Sequence, residues 1–260
     1  MPNVSWLSIA PVKGLALLQP EEVKLDRTGV AANRRFYMID ADGRQFGLLR
    51  DGALVQIRPE YDEDGDRLAL HLPDGSTVDR EIELGEPVTT YFGGGRPVEG
   101  RLVVGPWGEA ISAHVRRPIR LVKTNRPGEG VDRGRGQVSL VSDASVEELG
   151  RQGGREEPDA RRFRMLIGIG GCEPHEEDEW VGRRVRVGEA VVQVHGNVGR
   201  CAITTQNPDT GIPDFDTLRT IKAYRGLRDG RLDMGIFGEV LEPGRARIGD
   251  PVEPLDGIAS

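Results

Sequence analysis

The chain has 260 residues, enough for one large β domain or for two domains with cores of their own. Its net charge of -7 argues against non-specific nucleic-acid binding as the main function, although a local basic pocket for a small anion remains compatible with it. No apolar run approaches the roughly 20 residues of a membrane span, and no secretory signal precedes the first strand, so we expect a cytoplasmic protein that does not act at a membrane.

Short strands and tight turns are predicted for the first half of the chain. Apolar residues flank Asp/Gly-rich turns within 36–48 and 68–76, a pattern that favours two β-hairpins. Apolar residues at helical spacing predict a short helix over 106–115, and 118–122 returns to a strand.

A change in composition follows at 125–136, where glycine, proline and charged residues dominate. Such a segment cannot pack a core, so it is interpreted as a linker or a mobile loop. We place the boundary between two domains there, with residues 1–130 in the first domain and 131–260 in the second.

The second half opens with a predicted strand over 137–141 and a helix that begins at the capping residues Ser142–Ser145. Another helix is predicted to end near Gly226. The remaining strands are predicted over 185–194, 232–241 and 246–248 and at Val252. Many short strands with few short helices indicate a mainly β protein, with a closed or nearly closed barrel in each half.

The chain has two cysteines, Cys172 and Cys201. Two are too few for a four-cysteine zinc site or for an iron–sulfur cluster held by four thiolates of this chain, so any redox chemistry would draw electrons from a separate partner. Cys201 lies just before Asn207–Gly211, and the pattern predicts a strand that enters a tight turn. Arg200 places a cation beside its sulfur, and positive charge favours the thiolate that attacks electrophiles or binds metals.

Two other interpretations of Cys201 need to be weighed. An isolated cysteine is commonly a small buried apolar residue. His195 lies six residues earlier, which invites a Cys–His nucleophile, but six residues of extended strand span roughly 20 Å. The pair would therefore meet only if the chain folded back between them.

Three basic stretches are candidates for binding a small anion. They are Lys13 in a turn near the N-terminus, Arg34 and Arg35 at the start of a strand, and Arg161–Arg164. The planar fork of arginine can make two parallel charge-assisted bonds to phosphate, and lysine acts as a point charge. Strand alternation predicts that Arg34 and Arg35 point to opposite faces, so that at most one faces a given pocket. Each of these charges is also compatible with an ordinary solvated side chain.

Several motifs in one order resemble the MOSC family, a domain named for the C-terminal part of molybdenum cofactor sulfurase. Residues from about 4 to 70, with 8–14 and 33–36, resemble the MOSC N-terminal β-barrel domain, and residues from about 138 to 254 resemble the MOSC domain itself. The segments that carry the second likeness are Arg162–Arg164, Gly171–Pro174, Asp178–Gly182, Val198–Gly211, Phe237–Gly238 and Gly249–Val252.

The resemblance implies a molybdenum cofactor site in which Cys201 is the metal ligand and the catalytic residue. By motif position, the residues that would bind the cofactor beside Cys201 are Lys13, Arg35, Arg164 and Arg200. A soft thiolate suits a transition metal, and four cations could offset an anionic cofactor.

Relatives of the amidoxime-reducing type reduce N-hydroxylated compounds, with molybdenum passing electrons to a bound N–O group. The resemblance thus implies a molybdenum-dependent oxidoreductase that acts on N-hydroxylated or related N-oxygenated small molecules. Its electrons would come from a partner protein of the ferredoxin or flavin reductase type.

The sequence departs from that type after Arg164, where Met165 and Leu166 replace a Pro-Asn pair, so cofactor affinity or substrate choice is expected to differ. The chain is expected to lack the ferredoxin-like domain of some bacterial relatives and the pyridoxal-phosphate desulfurase domain of the sulfurases. Two alternatives stay open: a carrier that binds the cofactor or a persulfide through Cys201 without turnover, and a binding module that has lost the cofactor. Cys172 has no family role and is predicted to pack.

Overall fold

The computed structural model describes residues 1–128 and 131–258, and side chains as far as residue 255. Within those ranges the chain consists mainly of strands, with three α-helices and five short 3-10 helices. The predicted mainly β fold with few short helices is confirmed. None of the helices in the described part of the chain has the length and apolar character needed to cross a bilayer.

The strands follow one another in short steps. In the first half they are β1 (Asn3–Leu7), β2 (Glu22–Leu25), β3 (Phe36–Asp40), β4 (Gln45–Phe46), β5 (Arg58–Asp62), β6 (Arg67–His71), β7 (Thr77–Glu81), β8 (Glu83–Phe92), β9 (Arg96–Val104) and β10 (Ile119–Thr124). In the second half they are β11 (Val138–Ser142), β12 (Ile167–Gly170), β13 (Arg183–Val187), β14 (Ala190–Gly199), β15 (Asp233–Glu242), β16 (Gly244–Arg247) and β17 (Val252–Ile258).

Helices connect some of these strands. The α-helices are α1 (Trp107–Val115), α2 (Asp143–Gly153) and α3 (Thr217–Arg225), and the 3-10 helices span Gly52–Gln56, Gly93–Gly95, Ala160–Phe163, Glu176–Trp180 and Ala202–Thr205. All three predicted helices are confirmed. Ser142 Oγ accepts a hydrogen bond from Ser145 N at 3.1 Å and caps α2, and Gly226 follows the last residue of α3.

A seven-stranded sheet of order β1-β12-β11-β15-β14-β13-β17 forms the core of the second half. Its two edge strands approach each other, because Val4 N donates to Asp250 O at 2.8 Å and Val252 N donates to Pro2 O at 3.0 Å. The sheet is therefore a nearly closed barrel. Aliphatic side chains fill it together with the buried Trp180.

The first half contains a five-stranded sheet of order β4-β3-β10-β9-β8 and a three-stranded sheet of order β5-β6-β7. Both predicted hairpins are confirmed, since β3 pairs with β4 and β6 pairs with β7. A common core that includes Phe36, Leu70 and Trp107 joins the two sheets. Trp107 is fully buried, and its Nε1 donates to Leu68 O at 2.9 Å, which satisfies the one polar group of the ring.

The first 25 residues contribute strands to the second half of the molecule. β1 pairs antiparallel with β12, and β2 pairs antiparallel with β16. The chain thus begins in the barrel, builds the first half, and returns to complete the barrel. The boundary between residues 130 and 131 stays a prediction; residues 129 and 130, within the predicted linker, lie outside the described ranges.

Two glycines bring a turn of the first half against a turn of the second. A Cβ atom added to Gly211 would lie 1.9 Å from Gly52 O, and one added to Gly52 would lie 2.2 Å from Gly211 O. Gly211 also has a φ of +75°, a conformation that other residues rarely adopt. The two backbones can come this close only because neither residue has a side chain.

Gly211→Ala is expected to lower the free energy of unfolding by about 3 kcal/mol, because left-handed strain and backbone overlap add together. Gly154→Ala is the matched control: φ is +69° there and no atom lies within 4 Å of an added Cβ. Strain alone should cost about 1 kcal/mol at that position. Urea denaturation of both variants measures the difference, and equal losses would show that the contact with Gly52 does not constrain the turn.

Candidate functional site

A cavity of about 410 Å³ is lined by residues from both halves of the chain. Its charged lining residues are Lys13, Arg34, Arg50, Asp132, Arg133, Arg162, Arg164 and Arg200. Its apolar lining residues are Leu48, Leu49, Phe163, Val198 and Ile203, and Cys201 completes the lining together with small and polar neighbours. The cavity thus has seven cationic residues and one carboxylate, so it favours an anionic ligand. It brings together four of the five residues that the family resemblance assigns to the cofactor site, namely Lys13, Arg164, Arg200 and Cys201.

Cys201 is exposed and follows the end of β14. The prediction of a strand after Cys201 is wrong, because Ala202–Thr205 is a 3-10 helix. The predicted turn at 207–211 is present. Hydroxyl groups explain the difference. Thr204 Oγ1 donates to Cys201 O at 3.0 Å, and Thr205 Oγ1 donates at 2.7 Å to the carbonyl three residues before it. These local bonds use carbonyls that a strand would offer to its neighbour.

His195 takes no part in the cavity. Its Nε2 lies 3.2 Å from Glu239 Oε1, and its ring packs beside Phe237 with the ring centroids 6.4 Å apart. The Cys–His nucleophile that the spacing disfavours is therefore not formed by His195 and Cys201.

Lys13 and Arg34 share one carboxylate in the cavity lining. Lys13 Nζ and Arg34 Nε both bind the carboxylate of Asp132. Burial lowers the pKa of Lys13, and the charge of Asp132 opposes this only in part. Burial by itself would raise the pKa of Asp132, but the charges of Arg34 and Lys13 outweigh it and hold that pKa far below its usual range. The carboxylate is thus ionised and neutralises one of its two cationic partners.

Arg164 joins the two halves at the cavity. It has a φ of +52°, and its Nη2 donates to Leu15 O at 2.6 Å. Its own carbonyl accepts a hydrogen bond of 2.9 Å from Arg34 Nη2. Burial, and then the charge of Arg34, lowers the pKa of Arg164 to about 9, so the side chain stays charged at neutral pH while lacking a full counter-charge.

Arg200 differs from Arg164 because protein acceptors engage its guanidinium on every nitrogen. Nε donates to Met234 O at 2.8 Å, Nη1 donates to Phe163 O at 3.1 Å, and Nη2 contacts both Met234 O at 2.5 Å and Met165 Sδ at 2.8 Å. Burial lowers the pKa of Arg200 to about 9. Arg200 therefore supplies positive charge near Cys201, and its hydrogen bonds hold the 163–165 segment in place.

Of the two adjacent arginines, Arg34 lines the cavity and Arg35, the residue chosen by motif position, does not. Arg35 Nη1 donates to Thr124 Oγ1 at 2.7 Å, within the first half of the molecule. Strand alternation cannot decide between them, since Arg34 has a φ of +56° and β3 begins only at Phe36. No local signal in the sequence distinguishes the two side chains.

Asp132 and Arg133 are cavity residues that the sequence did not reveal. They belong to the segment predicted as a linker, and both line the cavity. Arg133 also lies over the ring of Phe237, with its Cζ 5.2 Å from the centroid. Glycine and charge are as typical of a solvated linker as of a loop that closes a site, so composition alone could not find them.

The two residues that replace Pro-Asn do not line the cavity. Met165 is buried, and its sulfur accepts from Arg200. Leu166 is fully buried in the barrel core, and its N donates to Ser139 Oγ at 3.1 Å. The replacement of Pro-Asn by Met165 and Leu166 therefore affects the cavity only indirectly, through the contact between Met165 and Arg200.

Cys172 is remote from this chemistry. It packs against the barrel core and is not a lining residue of the cavity. Burial, and then the charges of Glu176 and Glu177, raises the pKa of Cys172 to about 12, so its thiol stays protonated at neutral pH.

The cavity residues fit a molybdenum cofactor. The thiol of Cys201 is accessible, and the buried cations carry more charge than Asp132 balances, which an anionic group would offset. Among the described residues, no three His, Cys, Asp or Glu side chains are grouped to hold a metal ion by themselves. The protein would therefore offer one soft ligand and an anion site, which suits a metal that arrives with its own organic ligand.

The fold and the cavity define a mainly β protein with one exposed cysteine beside a cationic pocket. The model of the MOSC domain matches residues 120–253, and the model of the MOSC N-terminal beta barrel domain matches residues 1–92. The chain belongs to the MOSC family.

Curated relatives extend this likeness over nearly the whole chain. Mitochondrial amidoxime-reducing component 1 of Mus musculus is 29% identical over 96% of this chain and 81% of the relative, and the same protein of Homo sapiens is 28% identical over 96% and 82%. Molybdenum cofactor sulfurase of Drosophila grimshawi is 29% identical over 98% of this chain but only 35% of its own length. Among solved structures, the YUAD protein from Bacillus subtilis covers 98% of this chain and is covered to 96%, with 14% identity and a TM-score of 0.46.

Proposed function

We propose that this protein is a molybdenum-cofactor oxidoreductase that reduces N-hydroxylated or related N-oxygenated small molecules with electrons from a separate partner protein. The observation that carries the proposal is one exposed cysteine, Cys201, in a cavity whose buried cations lack a full counter-charge. The amidoxime-reducing relatives, aligned over 96% of the chain, support the same reaction class.

Each part of the cavity has a role in this proposal. Cys201 would ligate the metal through its thiolate, and Lys13, Arg34 and Arg164 would bind the phosphate of the pterin. The bound cofactor supplies the two electrons that, with two protons, convert an N–OH group into N–H and water. Arg200 would add positive charge behind the metal ligand.

The apolar part of the lining bears on the substrate. Leu48 and Ile203 line the cavity, and Leu49 does so while 65% exposed. Apolar lining residues of this kind stabilise the uncharged carbon groups of a bound substrate. We therefore propose neutral N-oxygenated molecules as substrates.

The test is to make the protein in a host that synthesises the cofactor and to measure bound molybdenum and released pterin. About one of each per chain is expected. The loaded protein, supplied with a ferredoxin or a flavin reductase, should then reduce members of a panel of hydroxylamines, amidoximes and N-oxides. The proposal fails if fully loaded protein with a competent donor reduces none of them. We also propose a cytoplasmic location for the protein, which cell fractionation tests.

A carrier role is the second candidate, because the thiol of Cys201 is exposed and so accessible to a partner protein. A carrier would bind the cofactor or a persulfide and pass it on without turnover. Bound cofactor without reduction of any substrate, or a mass increase of one sulfur atom on Cys201, would favour it.

A further inference from the structure

Arg162 is a buried cation of the cavity lining that the proposed function does not use. Its side chain is 0% exposed. Its Nη1 donates to Thr204 O at 3.0 Å and to Gln206 O at 3.2 Å, and Asp214 Oδ1 lies 3.3 Å from Nη1 and Nη2. The guanidinium also lies over the ring of Phe215, with 5.5 Å between its Cζ and the centroid.

The two carbonyls that Arg162 binds belong to the cysteine turn, the segment 201–206 that includes the 3-10 helix after Cys201. Thr204 N and Thr204 Oγ1 both donate to Cys201 O, at 3.1 and 3.0 Å. Thr204 Oγ1 also bonds to Thr217 Oγ1 of α3 at 2.6 Å. One residue, Thr204, therefore links the buried guanidinium to the backbone of the cysteine.

Arg162 also lies two positions before Arg164, which binds Leu15 O across the halves. The segment 162–164 thus holds the cysteine turn with one arginine and reaches the proposed phosphate site with the other.

We propose that Arg162 is a positioning residue that fixes the Cys201 thiol relative to the cofactor phosphate site. The inference rests on the proposed function for the identity of the metal, but the held turn itself can be tested in protein without cofactor. Outer groups that orient a metal ligand commonly change affinity or activity 10- to 100-fold when removed.

The experiment compares Arg162→Met with Asp214→Asn. Methionine removes both hydrogen bonds that Arg162 donates to the turn, whereas Asp214→Asn removes a carboxylate partner and leaves these two carbonyl bonds in place. Both variants should be less stable than the wild type, so stability by itself does not separate the two roles. Arg162→Lys, which keeps the charge on a shorter side chain, replaces the methionine variant if that variant does not fold.

Hydrogen exchange of cofactor-free protein is the first readout. The amides of Thr204 and Gln206, which donate to Cys201 O and Ile203 O, should exchange about tenfold faster in Arg162→Met. Amides in the β3–β10 pair report the global loss of stability in each variant. The turn amides should exceed that global change about tenfold in Arg162→Met and should not exceed it in Asp214→Asn. Equal exchange of the turn amides in Arg162→Met and the wild type would overturn the inference.

The second readout is the electron paramagnetic resonance spectrum of molybdenum(V) in loaded protein, together with its pterin content. Arg162→Met should change the spectrum and lower kcat about tenfold or more at unchanged pterin content, and Asp214→Asn should keep the wild-type spectrum. An unchanged spectrum and kcat in Arg162→Met would reduce Arg162 to a purely structural role. If the wild type binds no molybdenum, the proposed function fails, and hydrogen exchange still decides whether Arg162 holds the turn.

Discussion

Replacing Cys201 by alanine is expected to remove one sulfur ligand from the bound molybdenum and to lower turnover about a hundredfold or more. The metal would keep the sulfur atoms of the pterin, so the cofactor itself should remain bound. X-ray absorption at the molybdenum edge counts the sulfur neighbours, and release of the pterin measures how much cofactor each variant holds.

Cys172→Ala is the control for this experiment. Its thiol lies outside the cavity, packs against the barrel core and has a pKa raised to about 12, so its loss should change neither the sulfur count nor turnover. An unchanged sulfur count in Cys201→Ala would sink the assignment of Cys201 as a metal ligand. It would move the favoured role of this thiol to a sulfur carrier.

Replacing Arg164 by methionine is expected to lower pterin content, and affinity for a phosphate monoester in cofactor-free protein, about tenfold to a hundredfold. Arg164 is buried, and its lowered pKa reflects burial and the nearby charge of Arg34, so a bound phosphate would stabilise it. One hydrogen bond to a charged partner contributes about 1.5–3 kcal/mol, which corresponds to that range. Titration calorimetry with a phosphate monoester measures the affinity directly.

Arg161→Met is the matched control, three positions nearer to the N-terminus of the same motif than Arg164. Arg161 is bound to Asp159 and Asp209 and does not line the cavity. Its loss should leave phosphate affinity within about twofold of the wild type, since its charge is already paired. Equal affinity in Arg164→Met and Arg161→Met would refute an anion site at Arg164.

Local signals in the sequence were sufficient for much of the architecture. Turn residues between alternating apolar residues predicted both hairpins, and the spacing of Trp107, Ile111 and Val115 predicted α1. Ser142 and Gly226 marked the ends of helices through the capping chemistry of their own side chains or backbone. Each of these features depends on neighbours within a few positions, which is the range over which propensity and periodicity act.

Local signals could not predict that β1 and β2 pair with strands of the second half. β1 bonds to β12, more than 150 residues later, and alternation within a strand does not specify its partner. The short helix after Cys201 was missed for a related reason, since hydroxyl-to-carbonyl bonds of Thr204 and Thr205 outweighed the β propensity of the run.

The sequence by itself determined the family resemblance, the mainly β fold, and the candidate residues Lys13, Arg164, Arg200 and Cys201. The tertiary structure alone decided that Arg34 replaces Arg35 at the cavity, that Asp132 and Arg133 enter it from the supposed linker, and that Arg162 holds the cysteine turn. The reason is physical: residue type sets which chemistry a side chain can perform, whereas its direction and partners depend on contacts between segments far apart in the chain.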